Sequence, residues 1–332
     1  MTAFDFEVLH YPAGPGLGAP SHISTFQISK KRLVVATVRS ILTSRAPWAV
    51  RHAMAASVLP SLHYFVSGTH APAFRVWNIG LAHLRDFSLT SRIGEFAQGI
   101  AYAYWAFGVR CHVADFVEWS RARYPYEPLP TRPDYAVVPY GTTDLFVMEA
   151  KGTGDHEPRD QMRKALRQAK GIEHHPGVTN AFGTVATFHV AMSLPARIHV
   201  KDPEMKGDPS VSDRYDVFRR HYASWFELAG DFARARALRE QAAGEPSERV
   251  ETHFLRDSLL QALGMTDGVF RIDPLVEEAL DSQRAYASWQ ARAMKWSGER
   301  LADPGLDFPD GTSIEPASPV TPVKISDGIA ER

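Results

Sequence analysis

Arg132-Pro133-Asp134-Tyr135-Ala136-Val137-Val138, a link from Pro139 to Asp144, and Leu145-Phe146-Val147-Met148-Glu149-Ala150-Lys151 decide how this chain is read. Two short apolar runs flanking a turn-rich link predict a β-hairpin. Side chains alternate between faces along a strand, so Glu149 and Lys151 end one otherwise apolar face. Closing the hairpin with Pro139 opposite Asp144 sets Asp134 across from Glu149 on that same face, with Cβ atoms about 4.5–5.5 Å apart. Two carboxylates that close repel unless a cation sits between them. Oxygen ligands from Asp134, Glu149 and the Ala150 carbonyl suit a hard ion such as Mg²⁺ or Mn²⁺, and Lys151 is placed to hold a water or to neutralise charge on a phosphate.

N-terminal to the hairpin, Thr90 or Ser91 caps a helix in which Ile93, Phe96, Ala97, Ile100, Ala101 and Tyr104 recur at helical spacing and which ends near Gly108. Val109 to Trp119 is rich in strand formers, Arg159 to Lys170 reads as a helix after Pro158, and Ala181 to Ser193 as a strand. The order is helix, three strands, helix, strand. The chain therefore divides into an N-terminal mixed or helical region over 1–89, an α/β core over 90–200, a helical region over 201–302 and a disordered tail over 303–332. In the first region Pro47, Pro60 and Pro72 act as breakers, and Gly14-Pro15-Gly16-Leu17-Gly18-Ala19-Pro20 is a plain loop, since no helix pattern opens after it.

Pro133-Asp134 followed by Glu149-Ala150-Lys151 on such a core resembles the PD-(D/E)xK phosphodiesterase superfamily, the restriction-endonuclease-like nucleases. The resemblance covers about a third of the chain. It implies an αβββαβ core with a mixed central sheet, a metal-dependent nuclease activity, and nucleic acid as substrate, DNA rather than RNA. It also implies an acidic residue on the preceding helix, which Glu95 matches, and a polar residue on the following helix. Gln168 is the choice there, with Gln161, seven residues earlier and on the same face, second. Asp134, Glu149, Ala150 and Glu95 would then be the metal ligands, and Asp134, Glu149, Lys151, Glu95 and Gln168 the catalytic set.

Composition limits the partners. Thirty-seven Lys and Arg balance 38 Asp and Glu to a net charge of −1, so any nucleic-acid contact is local. Arg159, Arg163, Lys164, Arg167 and Lys170 make the helix after the motif basic and could track phosphates, as could Arg219, Arg220, Arg234, Arg236 and Arg239. The single cysteine, Cys111, excludes an internal disulfide framework and reads as a buried apolar residue. Asp155-His156-Glu157 reads as a polar loop, His174-His175 as a turn, and the stripe Tyr286, Trp289, Ala293 and Trp296 as core. No secretory signal or membrane span is expected, which fits a cytoplasmic protein or a toxin loaded directly into a contact-dependent secretion machine and paired with an immunity or accessory protein. The competing reading is a non-catalytic nucleic-acid- or protein-binding module on a nuclease fold.

Overall fold

In a computed structural model of the chain, which describes residues 3–14, 16–44, 46–67, 86–123, 132–155, 157–172, 175, 177–188, 196–203, 214–239, 250–300 and 306–315, the hairpin forms in the expected register. Strand β4 (Tyr135–Pro139) pairs antiparallel with β5 (Phe146–Thr153), Tyr135 opposite Met148 and Val137 opposite Phe146. The register follows from the period-2 pattern, because a one-residue slip would turn each apolar side chain to the wrong face. Tyr135, Val137, Met148 and Ala150 enter one core, whereas Ala136, Val138, Leu145 and Val147 enter a second on the other face.

The sheet built around this hairpin has seven strands in the order β2-β1-β7-β6-β5-β4-β3. Here β1 is Ala3–Tyr11, β2 His22–Ser29, β3 Cys111–Asp115, β6 Asn180–Thr187 and β7 Arg197–Lys201. Strands β3, β4 and β5 form an antiparallel meander, β6 runs parallel to β5, and β7 returns antiparallel to β6. The fold is thus mixed α/β with a mixed central sheet. The N-terminal segment is not a flank, because β1 pairs parallel with β7 and β2 antiparallel with β1, extending the same sheet. Phe4, Phe6 and Val8, every second residue of β1, are fully buried. The segment reads as mixed in sequence because its edge strand β2 carries half its residues outward.

Helices α1 (Lys30–Leu42), α2 (Trp48–Ser67) and α3 (Asp86–Ala103) follow. Pro60 does not break α2; its missing N–H leaves one carbonyl, that of Ala56, without a helical donor, and the helix continues. Helix α3 starts about a turn before Thr90 and ends in a π-helical turn, Tyr104–Val109. The run from Val109 to Trp119 is only in part a strand. Asp115 Oδ1 accepts from the Glu118 N–H (2.6 Å) and opens helix α4 (Phe116–Arg123), a capping pattern overlooked among the strand formers.

On the second face, α5 (Arg159–Lys170) packs on β5 and β6 through Met162, Ala165 and Ala169. C-terminal to the sheet lie α6 (Arg214–Ala229), α7 (Phe232–Arg239), α8 (Val250–Ala262), α9 (Pro274–Asp281) and α10 (Gln283–Arg300). Asp273 caps α9 by accepting from the Leu275 N–H, and extended backbone at Ser282 separates α9 from α10. Tyr286, Trp289 and Ala293 are buried, so the aromatic stripe is core. Trp296 and His174 have no described side chain; His175 is buried against the rings of Phe116 and Trp119.

The expected disordered tail is corrected over residues 306–315. These form β9 (Leu306–Asp307) and β10 (Thr312–Glu315), joined with β8 (Val269–Ile272) in a small second sheet. Asp310 in the turn between them is fully buried. Its Oδ2 accepts from Arg39 (3.3 Å), His221 Nε2 (2.9 Å) and Trp225 Nε1 (2.6 Å). The Val113 N–H donates to His221 Nδ1 (3.1 Å), which fixes the proton on Nε2 and aims it at Asp310. Composition could not reveal this, because the segment's stability lies in partners far away in sequence.

Candidate active site

The β4–β5 ladder ends at Tyr135 and Met148, and one step on the side chains take over the work of the backbone. Asp134 N–H donates to Glu149 Oε2 (3.1 Å), and Ala150 N–H donates to Asp134 Oδ2 (2.8 Å). On the far side the Phe116 N–H reaches the Asp134 carbonyl (3.1 Å), tying the same point to β3. Asp134 and Glu149 are therefore opposed as the hairpin spacing predicts, each oriented by the other strand's backbone. Lys151 Nζ donates to Glu149 Oε1.

Burial sets the electrostatics. Glu149 is fully buried, while the Lys151 side chain is about a quarter exposed (27%) and brings the pair to the surface. Burial first, then the facing Asp134, push the Glu149 carboxyl up to about 8. Asp134 is also raised by burial, against the pull of the Ala150 N–H, Lys151 and a hydrogen bond with Gln98. A site that holds two carboxylates this reluctantly ionised favours either a shared proton or a cation.

Gln98, on α3, is the group sequence reading missed. It lies three residues after Glu95 and so on the same side of the helix, which was the signal available. Glu95 itself is half-buried with its Oε2 on Arg92 Nη1 (2.7 Å). Among the described residues no three His, Cys, Asp or Glu side chains gather as a ready-made metal cluster. Gln168 and Gln161 are half-buried on α5, the helix that covers this face of the sheet. The structure thus joins Asp134, Glu149, Lys151 and the Ala150 backbone, adds Gln98, and leaves Glu95 paired within its own helix.

Around the site, Asp155 and Glu157 are exposed loop residues, with Glu157 on Arg159 (3.4 Å); His156 lies outside the described residues. On α5 the exposed cations are Arg159, Arg163, Lys164, Arg167 and Lys170. Of the arginines further on, Arg220 and Arg239 are buried in the fold, whereas Arg236 is exposed. Arg220 is buried on Asp216 (2.8 Å) and Glu118 (2.9 Å), Arg239 on Glu227 (2.5 Å), and Arg234 reaches Glu277 (3.0 Å). Arg219 donates to the Ala237 carbonyl. Arg220 and Arg239 are internal because Glu118 and Glu227, from other helices, meet them. Among the described residues no helix is long and apolar enough to cross a membrane. No protein-family model, curated protein or solved structure matches this chain, and its chemistry is read from the site itself.

Proposed function

We propose that this chain is a divalent-metal-dependent nuclease that hydrolyses phosphodiester bonds, in DNA before RNA, on a restriction-endonuclease-like core. The observation that carries the reading is the opposed pair of a half-buried Asp134 and a buried Glu149 at the end of the β4–β5 ladder, with Lys151 bridging to the surface. The succession α3, β3, β4, β5, α5, β6, with β5 and β6 parallel, supports the core, with α4 as an insertion.

The donor set fits a hard ion. Two carboxylates that resist ionising alone, with the Ala150 carbonyl, suit Mg²⁺ or Mn²⁺, which keeps several waters and needs only one or two carboxylates. When bound, such an ion supplies an activated water and polarises a phosphate oxygen. The Asp134 N–H holds Glu149, the Ala150 N–H holds Asp134, and Gln98 steadies Asp134. Lys151, drawn off Glu149, neutralises charge developing on the phosphate or holds the attacking water. Glu95 serves by orienting water, and Gln168 by steadying Lys151 or touching phosphate. A restriction, phage-defence or secreted antibacterial nuclease is the setting this chemistry fits, the last with an immunity protein as partner.

The test is cleavage of supercoiled plasmid, linear DNA and RNA with Mg²⁺ or Mn²⁺. Glu149→Ala and Lys151→Ala are expected to lower the rate by about 10²–10³ or more while folding normally, and a chelator to abolish it. Folded wild-type protein that cuts no substrate but binds nucleic acid would replace this reading with the non-catalytic module.

A further inference from the structure

At the opposite edge of the sheet, β1 and β2 bring two histidines together. His10 and His22 are direct cross-strand partners at the base of the glycine-containing loop between the strands. Their ring centroids are 5.4 Å apart with an interplanar angle of 34°. Two imidazoles on a tetrahedral ion, with Zn–N bonds of about 2.0–2.1 Å, place their ring centroids about 5 Å apart. Directly opposed residues of an antiparallel pair share a face, so both rings look the same way without any backbone movement.

The surroundings complete a chelate. Ser24, two residues after His22 and on its face, has its Oγ 3.2 Å from His10 Nε2. A ligating histidine characteristically has one ring nitrogen held by such a partner and offers the other to the ion. On the inner side the Tyr104 ring of the π-helical turn lies 6.4 Å from His10 and gives the site an apolar floor. On the outer side His22 is exposed, leaving room for water as the remaining ligands. His10 is half-buried, so its ring is held between the sheet and the outer, exposed His22.

We propose that His10 and His22 form a two-histidine site for a borderline transition-metal dication, zinc first, with nickel and copper in the same class. Imidazole nitrogens select these ions over Mg²⁺, which takes oxygen. The site is separate from the carboxylate pair. His10 shares the face of Phe6 and Val8, opposite to that of Glu149, and β1 lies three strand spacings from β5, about 14 Å at about 4.8 Å each. The bound ion ties β1 to β2 where the loop leaves them, so it stabilises the edge of the sheet and does not enter the phosphodiester chemistry.

The full chain, kept in excess Mg²⁺ so that hard-ion sites are filled, is titrated calorimetrically with Zn²⁺. One zinc per chain is expected, with affinity lowered about tenfold or more in His10→Gln and in His22→Gln, and about tenfold in Ser24→Ala. Zinc raises the melting temperature of wild type but not of the two histidine variants, and the midpoint of His22→Gln without zinc matches wild type. Co²⁺ used as a spectroscopic probe gives the intense visible bands of a four-coordinate ion in wild type alone. Zinc bound equally by wild type and both histidine variants, or not bound by wild type, overturns the assignment. Because His22 is exposed, that variant keeps the fold and the test stands even if His10→Gln does not.

Discussion

Glu149 carries the most information of any residue in the chain. A carboxyl raised from about 4.5 to about 8 holds its proton in the fold over a range where the unfolded chain has lost it. Its contribution to stability is therefore present below its ordinary range and lost as pH rises through about 8. In metal-free buffer the melting temperature is expected to fall between about pH 5 and about pH 8 more steeply than in Glu149→Gln, which keeps a neutral side chain throughout. Added Mg²⁺ should raise the wild-type midpoint most at the alkaline end and leave the variant's nearly unchanged. A wild-type profile with the slope of Glu149→Gln would mean that the carboxylate is not strained. Gln98 works through Asp134, so Gln98→Leu should slow cleavage by raising the Mg²⁺ concentration needed, whereas a merely structural role would leave that requirement alone.

At the scale of elements, the site depends on how closely α3 and α5 approach the sheet. A Cβ on Gly152 would sit 2.7 Å from the Ala97 Cβ and 2.8 Å from the Ile93 carbonyl oxygen. The second of these is backbone and cannot swing aside, so Gly152→Ala should push α3 off β5 at a cost of about 1–3 kcal/mol, read from denaturant unfolding. Since Lys151 is the adjacent residue, cleavage should fall with it. On α5, Arg159 and Arg163 lean on Glu157 and Asp160, while Lys164, Arg167 and Lys170 are exposed on the face opposite to Met162 and Ala165. If this face carries phosphate, Lys164→Glu with Arg167→Glu should weaken nucleic-acid binding and make its salt dependence shallower by about one unit of slope per lost contact. An unchanged slope would assign the basic face to solubility alone.

At the scale of the whole molecule, two buried ion networks lock the C-terminal elements onto helices α1 and α2. Arg39 from α1, His221 and Trp225 from α6 and Asp310 from the terminal hairpin form one. Glu227 from α6 with Arg51, His52 and Arg239 forms the other. Burial alone would raise both acids, but their partners outweigh it: Glu227 is held at about 2 and Asp310 lower still. These depressed carboxyls stabilise the fold above their ordinary range and lose that contribution as pH falls through it. His221, which burial and then Arg39 lower to about 4, acts in the same direction between about 6.5 and 4. Acid unfolding should therefore be steep below about pH 4, monitored by tryptophan fluorescence because Trp225 donates to Asp310. Asp310→Ala strands Arg39 in the interior and should cost about 3–5 kcal/mol, a large share of a typical domain's stability. A loss below about 1 kcal/mol would show the terminal hairpin to be dispensable.

What sequence alone determined here is local. The hairpin register, the opposition of Asp134 and Glu149, the face shared by Glu149 and Lys151, the amphipathic α5 and the Asp273 cap all follow from period, spacing and capping chemistry within about 20 residues of chain. The rest came from packing between elements distant in the chain. It added β1 and β2 to the sheet, turned Glu95 to Arg92 while Gln98 met Asp134, drew Arg220 and Arg239 into internal pairs and buried a hairpin that composition marks as tail. Apart from the Glu95–Arg92 contact, each of those outcomes depends on a partner from about a dozen to hundreds of residues away, and a side chain's polarity does not say whether water or a distant countercharge will satisfy it.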